Sequence, residues 1–395
     1  MTRRRAILAC GAAISGLPVR LVAGASKRVD IHRLPERGIQ PQMAADDRGR
    51  LHLVYFIGEP RQGDLLYAVS TNNGGTFSRG IPVNSQPGSA IATGTIRGAQ
   101  MALGRDGRVH VAWNGSRSDG PLNPDSGTPG MPMLYTHAAE GGNFEPQRNL
   151  MLHSFGLDGG GSVAADPLGN VFVAWHGIGQ AEATGTGKEG EARRRVWIAK
   201  SSDEGNTFAP EQKAWAEETG ACGCCGMKIF SDHRANVFVL YRSATESVHR
   251  DIYLLTSSDH GKSFRGRLLH KWDVNACPMS SMDFAGNGSM VVGAWETGGQ
   301  VYWTRVDGDG SSRLPVAAPG EGKGRKHPRV AVNRKGDVML AWTEGTGWQK
   351  GGSLAYQVYD EAGTPTAEKG QLPGIPAWSF PAVAAKPDGD FSIVF

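Results

Sequence analysis

Seven times along the chain one short phrase recurs: a hydrophobic pair, a polar turn closed by glycine, then a β-rich run ending in an aromatic. The copies read MAADDRGRLHLVYF from Met43, MALGRDGRVHVAW from Met101, VAADPLGNVFVAW from Val163 and IFSDHRANVFVLY from Ile229. The later three read MDFAGNGSMVVGAW from Met282, VAVNRKGDVMLAW from Val330 and VAAKPDGDFSIVF from Val383. The turn residue (Gly49, Gly107, Gly169, Ala235, Gly288, Gly336, Gly389) returns at steps of 58, 62, 66, 53, 48 and 53 residues. Alternating apolar residues on both sides of a tight turn, repeated at a period near fifty, mark a radial β-repeat. Because such repeats bury their faces against one another, residues 26–395 read as a single domain.

Within a unit the order of strands is legible. In the first, strand A (Pro41 to Asp46) meets the glycine turn and strand B (Leu51 to Tyr55) runs back. Strand C (Leu65 to Ser70) and strand D (Ile81 to Asn84) follow. Four short antiparallel strands of this kind make one propeller blade. The 56 glycines suit a fold made of turns between short strands. The expected fold is an all-β propeller of four-stranded antiparallel blades, seven by first choice and six as the alternative. The seventh unit has only an A–B pair, Ser379 to Phe395, which the segment Arg28 to Leu34 is expected to complete.

Residues 1–25 are a different object. Arg3, Arg4 and Arg5 precede an apolar run, and Ala23-Gly24-Ala25 offers a small-residue cleavage site, as in a signal peptide. The double arginine suits the twin-arginine route. An exported protein, periplasmic or extracellular, is expected. The segment carries four arginines and no acid, so its removal takes the formal charge from +4 to zero. A neutral mature chain gives no case for nucleic acid as a partner, and no apolar run is long enough for a membrane span.

The turn after strand C carries a second signature. It reads Ser70-Thr71-Asn72-Asn73-Gly74-Gly75-Thr76-Phe77, then Ser201-Ser202-Asp203-Glu204-Gly205-Asn206-Thr207-Phe208, then Ser257-Ser258-Asp259-His260-Gly261-Lys262-Ser263-Phe264. The pattern S-x-D-x-G-x-[ST]-F resembles the Asp-box, or BNR repeat, of sialidase-like propellers. The side-chain oxygens bond the turn's own backbone and glycine takes a positive φ, so the motif builds a turn and carries no chemistry.

That topology gathers the starts of strands A, the ends of strands B and the B–C loops at one face. Counting eleven residues back from each turn names a ring there: Gly38, Ile96, Asp158, Cys224, Cys277, Arg325 and Trp378. One step further in lie Ile39, Arg97, Gly159, Cys225, Pro278, Lys326 and Ser379. Once Cys10 leaves with the leader, the remaining four cysteines are Cys222, Cys224, Cys225 and Cys277, all near this ring. Three readings stand open. An even count in an exported chain suits disulfides, although a bridge between the neighbours Cys224 and Cys225 would be strained. Thiolates in one cluster suit a soft metal, copper(I) or zinc. Free or redox-active thiols are the third.

The run Cys-x-Cys-Cys, Tyr241-Arg242, His249-Arg250-Asp251-Ile252, Trp272-Asp273 and Cys277-Pro278 resembles a bacterial group usually labelled sialidase-like. That resemblance implies an exported propeller that binds or hydrolyses a glycan or other small molecule at the funnel face. Sialidases hold the substrate carboxylate with three arginines and use a tyrosine nucleophile, a glutamate and an aspartate. The family's opening R-I-P arginine position is Ile39 here, which speaks against sialic acid as substrate. Candidate substitutes are Arg97, Arg242, Arg250 and Arg329 as anion clamps, Tyr356 as nucleophile, Glu296 as its partner and Asp273 or Asp158 as acid. His176, just past strand B, is a candidate ligand or base. The alternative function is a metal- or redox-bearing propeller centred on Cys222, Cys224, Cys225 and Cys277.

Overall fold

A computed structural model describes residues 28–124, 126–180, 190–246, 248–321 and 324–395; the expected signal peptide lies outside them. Seven sheets are arranged as the blades of a propeller. Blade 1 comprises Ile39–Ala45, Leu51–Glu59, Gln62–Ser70 and Ile81–Pro82. Blade 4 comprises Lys228–Ser231, Val237–Arg242, Ile252–Ser257 and Arg265–His270. Each repeated phrase forms the A–B hairpin of one blade, as its alternation requires.

Two blades depart from the four-stranded plan. Blade 3 gains a fifth short strand, Ser154–Phe155, and blade 7 has three strands. In blade 7 the closing strand Val29–His32 pairs in parallel with Phe391–Val394, not antiparallel. Chain direction explains this. Strand B runs toward the face where every strand A begins, and the closing strand must reach that same face to feed blade 1.

The core lies between the blades. The aromatics that end each strand B (Tyr55, Trp113, Trp175, Tyr241, Trp295, Trp342 and Phe395) are all at most 4% exposed. Burying one such ring contributes roughly 2–3 kcal/mol, so the repeated aromatic is what fastens neighbouring blades. At the A–B turns an Asp or Asn side chain holds the loop: Asp46 Oδ1 accepts from the N–H groups of Arg48 and Arg50, and Asp166, Asp232 and Asn333 do the same. Ala235 takes the left-handed conformation, φ 59°, that glycine takes elsewhere.

The Ser201–Phe208 turn works as the motif predicts. Asp203 accepts from Ser201 Oγ, Thr207 N–H and Thr207 Oγ1 at 2.6–2.9 Å, and Gly205 N–H donates to Ser201 Oγ.

Along the axis the strands A line a channel. Its wide part, about 950 Å³, opens among the A–B turns beside Arg48, Arg105, Asp232 and Arg334. A narrower part of about 330 Å³ runs inward between the strands A. At the other face, the predicted funnel mouth, the axis is filled. A Cβ on Gly160 would collide with the Ile96 carbonyl, and one on Gly226 would lie 3.7 Å from Ile96 Cβ. No described helix is long and apolar enough to cross a membrane.

Candidate functional site

The segment Gly220–Met227 leads from blade 3 into strand A of blade 4 and folds back on itself. Cys222 N–H donates to the Arg242 carbonyl at 2.9 Å, Cys225 N–H to the Cys222 carbonyl at 3.3 Å, and Gly226 N–H to the Ser280 carbonyl at 3.0 Å. This tight turn brings three sulfurs together. Cys222 Sγ lies 3.4 Å from both Cys224 Sγ and Cys225 Sγ, and all three fall within 4.8 Å of one another. A disulfide needs about 2.05 Å, so these are free thiols, as is Cys277. Three thiolates bound at about 2.3 Å to one ion would sit roughly 3.8–4 Å apart. The observed spacing is close to that set.

Cys277 does not join them. It is exposed and outside the group. The reason is a register shift. Six blades place five residues between strands A and B, with the turn residue fourth, but blade 5 places four, Asn287–Met290, with Gly288 second, so counting back from Gly288 runs two positions too far. Aligned on the strand pairing, the residue matching Lys228 is Asp283, and Cys277 matches Cys222 two positions further out. Met279, with φ 49°, stands where Cys224 does and turns the chain away.

Around the thiols the structure packs four arginines. Arg242, from the end of strand B, is fully buried, donates to the Arg250 and Glu296 carbonyls, pairs with the Glu296 carboxylate at 3.1 Å and lies 5.0 Å over the Trp272 ring. Arg250 pairs with Glu191 at 2.6 Å, while its buried Nε and Nη1 have no partner. Arg97 reaches the Asp158 carboxylate and carbonyl, and Arg194 reaches the Gly156 carbonyl. Burial alone would raise the Cys225 thiol, but hydrogen bonds from Cys222 and Cys224, with Arg242 nearby, hold it well below its usual value. Its neighbour Cys224 is pushed up by those shared hydrogen bonds. Burial pushes the Glu296 carboxyl up against the pull of Arg242. His176 is buried with neither ring nitrogen partnered; burial, with Arg194 beside it, drops its pKa to about 4. The contributions of Glu191 and Arg194 were not foreseen, and Trp272, named only as part of the signature run, had been given no role. Glu191 and Arg194 sit in a long B–C loop whose sequence gives no sign of where it folds back.

The glycosidase candidates assemble only in part: Arg97, Arg242, Arg250 and Glu296 share the mouth, and the others do not join them. Tyr356 lies in strand C of blade 6, buried with Leu354, Val358 and Phe391 in the core between blades 6 and 7. Its alternation puts it on a blade face, so it cannot serve as a nucleophile at the mouth. Asp273 bonds His249 Nδ1 at 2.5 Å on the rim, with its side chain 69% exposed. Arg242 and Glu296 are spent on each other. Arg329 belongs to the axial channel below.

No family model matches this chain, and no curated protein does. Solved structures do. A Hadza microbial sialidase, Hz136, superposes with a TM-score of 0.53 at 12% identity over 82% of this chain and 66% of that one. An α-L-arabinanase of Penicillium chrysogenum gives 0.51 at 14% identity, covering 84% and 96%. A protein of unknown function from Dyadobacter fermentans gives 0.51 at 12%, covering 88% and 97%. The likeness is one of fold. A sialidase-like propeller scaffold hosts more than one chemistry, so the site has to speak for the function.

Proposed function

We propose that this protein is an exported propeller that binds one thiophilic metal ion, copper(I) by preference over zinc, through Cys222, Cys224 and Cys225. The observation that carries this reading is the convergence of three free sulfurs within 4.8 Å of one another. Thiolates select copper(I) and zinc. Zinc in a structural site takes four ligands, and among the described residues the group has three, a set that suits copper(I). Three thiolates on a monovalent ion leave net negative charge, and the unpartnered N–H groups of Arg250 lie beside Cys222 to meet it. Residues 1–25, acting as a twin-arginine signal, would deliver the chain already folded with its metal in place. Elemental analysis of the protein taken from its own exported compartment tests this. About one copper per chain is expected. No stoichiometric copper or zinc, with bridged cysteines by mass, would reduce the cluster to a brace or a redox pair.

A second reading, a glycan ligand at the same face, rests on a different observation. Trp348 is 55% exposed, packs edge-on against Trp378 at 6.0 Å between centroids, and lies next to Gly94, which also neighbours Arg97. An exposed indole beside a guanidinium is a platform on which sugar rings stack. The presence of a sialidase and an arabinanase among the similar structures suits it. Sugar release from a panel of aryl glycosides, sialosides included, tests hydrolysis; binding without turnover would make it a glycan-binding surface.

A further inference from the structure

Below the mouth, one position in each strand A forms a ring around the axis. It is the residue paired with the one that precedes the strand B aromatic: Gln42, Gln100, Ser162, Lys228, Asp283, Arg329 and Ala382. Two of these are cations and one is an acid. All three are buried, Arg329 to 4% exposure and Lys228 to 9%. Asp283 is fully used: Oδ1 faces Lys228 Nζ at 3.3 Å and Oδ2 accepts from Val330 N–H at 3.1 Å. Lys228 also donates to Gln100 Oε1 at 3.2 Å. Arg329 has a long bond to the Met282 carbonyl, 3.4 Å, and the face of Phe380 at 4.2 Å, and its Nε has no partner. Gln42 Nε2, also buried, has none either. Gln42, Lys228, Asp283 and Arg329 all line the narrow inner part of the channel.

A buried surplus of one positive charge, with donor N–H groups lacking acceptors, is costly unless something negative meets it. Alanines follow the ring in most strands A (Ala44, Ala102, Ala164, Ala285, Ala331 and Ala384), so the next layer of the narrow channel supplies no carboxylate, and acids such as Asp46 and Asp232 line only the wide part among the A–B turns. We propose that the inner end of the channel binds one small monovalent anion of halide size, held by Lys228, Arg329 and Gln42 and entering from the A–B turn face. The charge count sets the valence, since one such ion neutralises the ring. The site is separate from the thiol cluster and does not depend on what binds there.

Thermal unfolding of the mature chain in sodium bromide and in sodium gluconate at equal ionic strength tests this. A saturable rise of about 2 °C or more with bromide and not with gluconate is expected. Arg329→Met and Lys228→Met each remove the surplus charge and should abolish the halide-specific rise. Should either variant fail to fold, Gln42→Leu should weaken the halide response severalfold. Crystals grown in bromide should show an anomalous peak between Lys228 and Arg329. Equal responses to the two salts, or no peak at that position, would overturn the assignment.

Discussion

The N–H of Leu34 donates to the carbonyl of Phe395 across 3.1 Å, so the two ends of the described chain meet in one sheet. Phe395 N–H returns a bond to the His32 carbonyl at 3.1 Å, and Val29, opposite Phe391, is wholly buried. Closing the ring in this way leaves no free edge between blades 7 and 1. Val29→Asp would bury an unpaired carboxylate there. We expect it to lose about 3–5 kcal/mol in urea unfolding and to aggregate through the edge Phe391–Val394.

Serine at position 222 and serine at position 277 should behave differently. Cys222→Ser removes the sulfur that touches both others, and stoichiometric metal should be lost. Cys277→Ser should retain full metal, because that thiol is exposed and apart. Maleimide labelling checks the same geometry: Cys277 reacts first, and the other three are protected when metal is bound.

Arg242 and Glu296 form a buried pair at 3.1 Å. Glu296→Ala leaves the guanidinium without its carboxylate, at a cost of about 3–5 kcal/mol. A catalytic glutamate would instead lose turnover with little change in stability, so an unfolding midpoint and an aryl-glycoside assay on one variant separate the two roles.

His110 is buried in blade 2, with Nδ1 2.8 Å from the Tyr135 hydroxyl, and burial lowers its pKa to about 3. The unfolded state, near 6.5, binds the proton first as pH falls. Stability is therefore complete above about pH 6.5 and declines down to about pH 3. The slope from this residue is about 1.4 kcal/mol per pH unit at most. Unfolding free energies measured across that window should be flatter for His110→Asn.

The Asp203 carboxyl, held down to about 2 mainly by hydrogen bonds from Thr207 and Ser201 that outweigh its slight burial, should matter only to its turn. Asp203→Ala is expected to cost about 1–2 kcal/mol and to leave metal content unchanged.

The sequence alone determined the propeller, since strand period, turn glycines and strand-ending aromatics are local signals that each repeat states again. It also placed Cys222, Cys224 and Cys225 at the mouth, because their distance from the Ala235 turn is set along one strand. The chain could not announce the rest. Whether Cys277 joins the thiols turned on the Asn287–Met290 loop, which is one residue shorter and carries its turn glycine second instead of fourth, a two-position register shift that leaves the pattern undisturbed. Tyr356 and the Arg242–Glu296 pair were decided by which blade face or neighbour each side chain meets. The two cations and single acid around the axis come from strands up to 101 residues apart, Lys228 and Arg329. Repetition writes an architecture into sequence; the charge balance at its centre exists only once seven separate strands close on one axis.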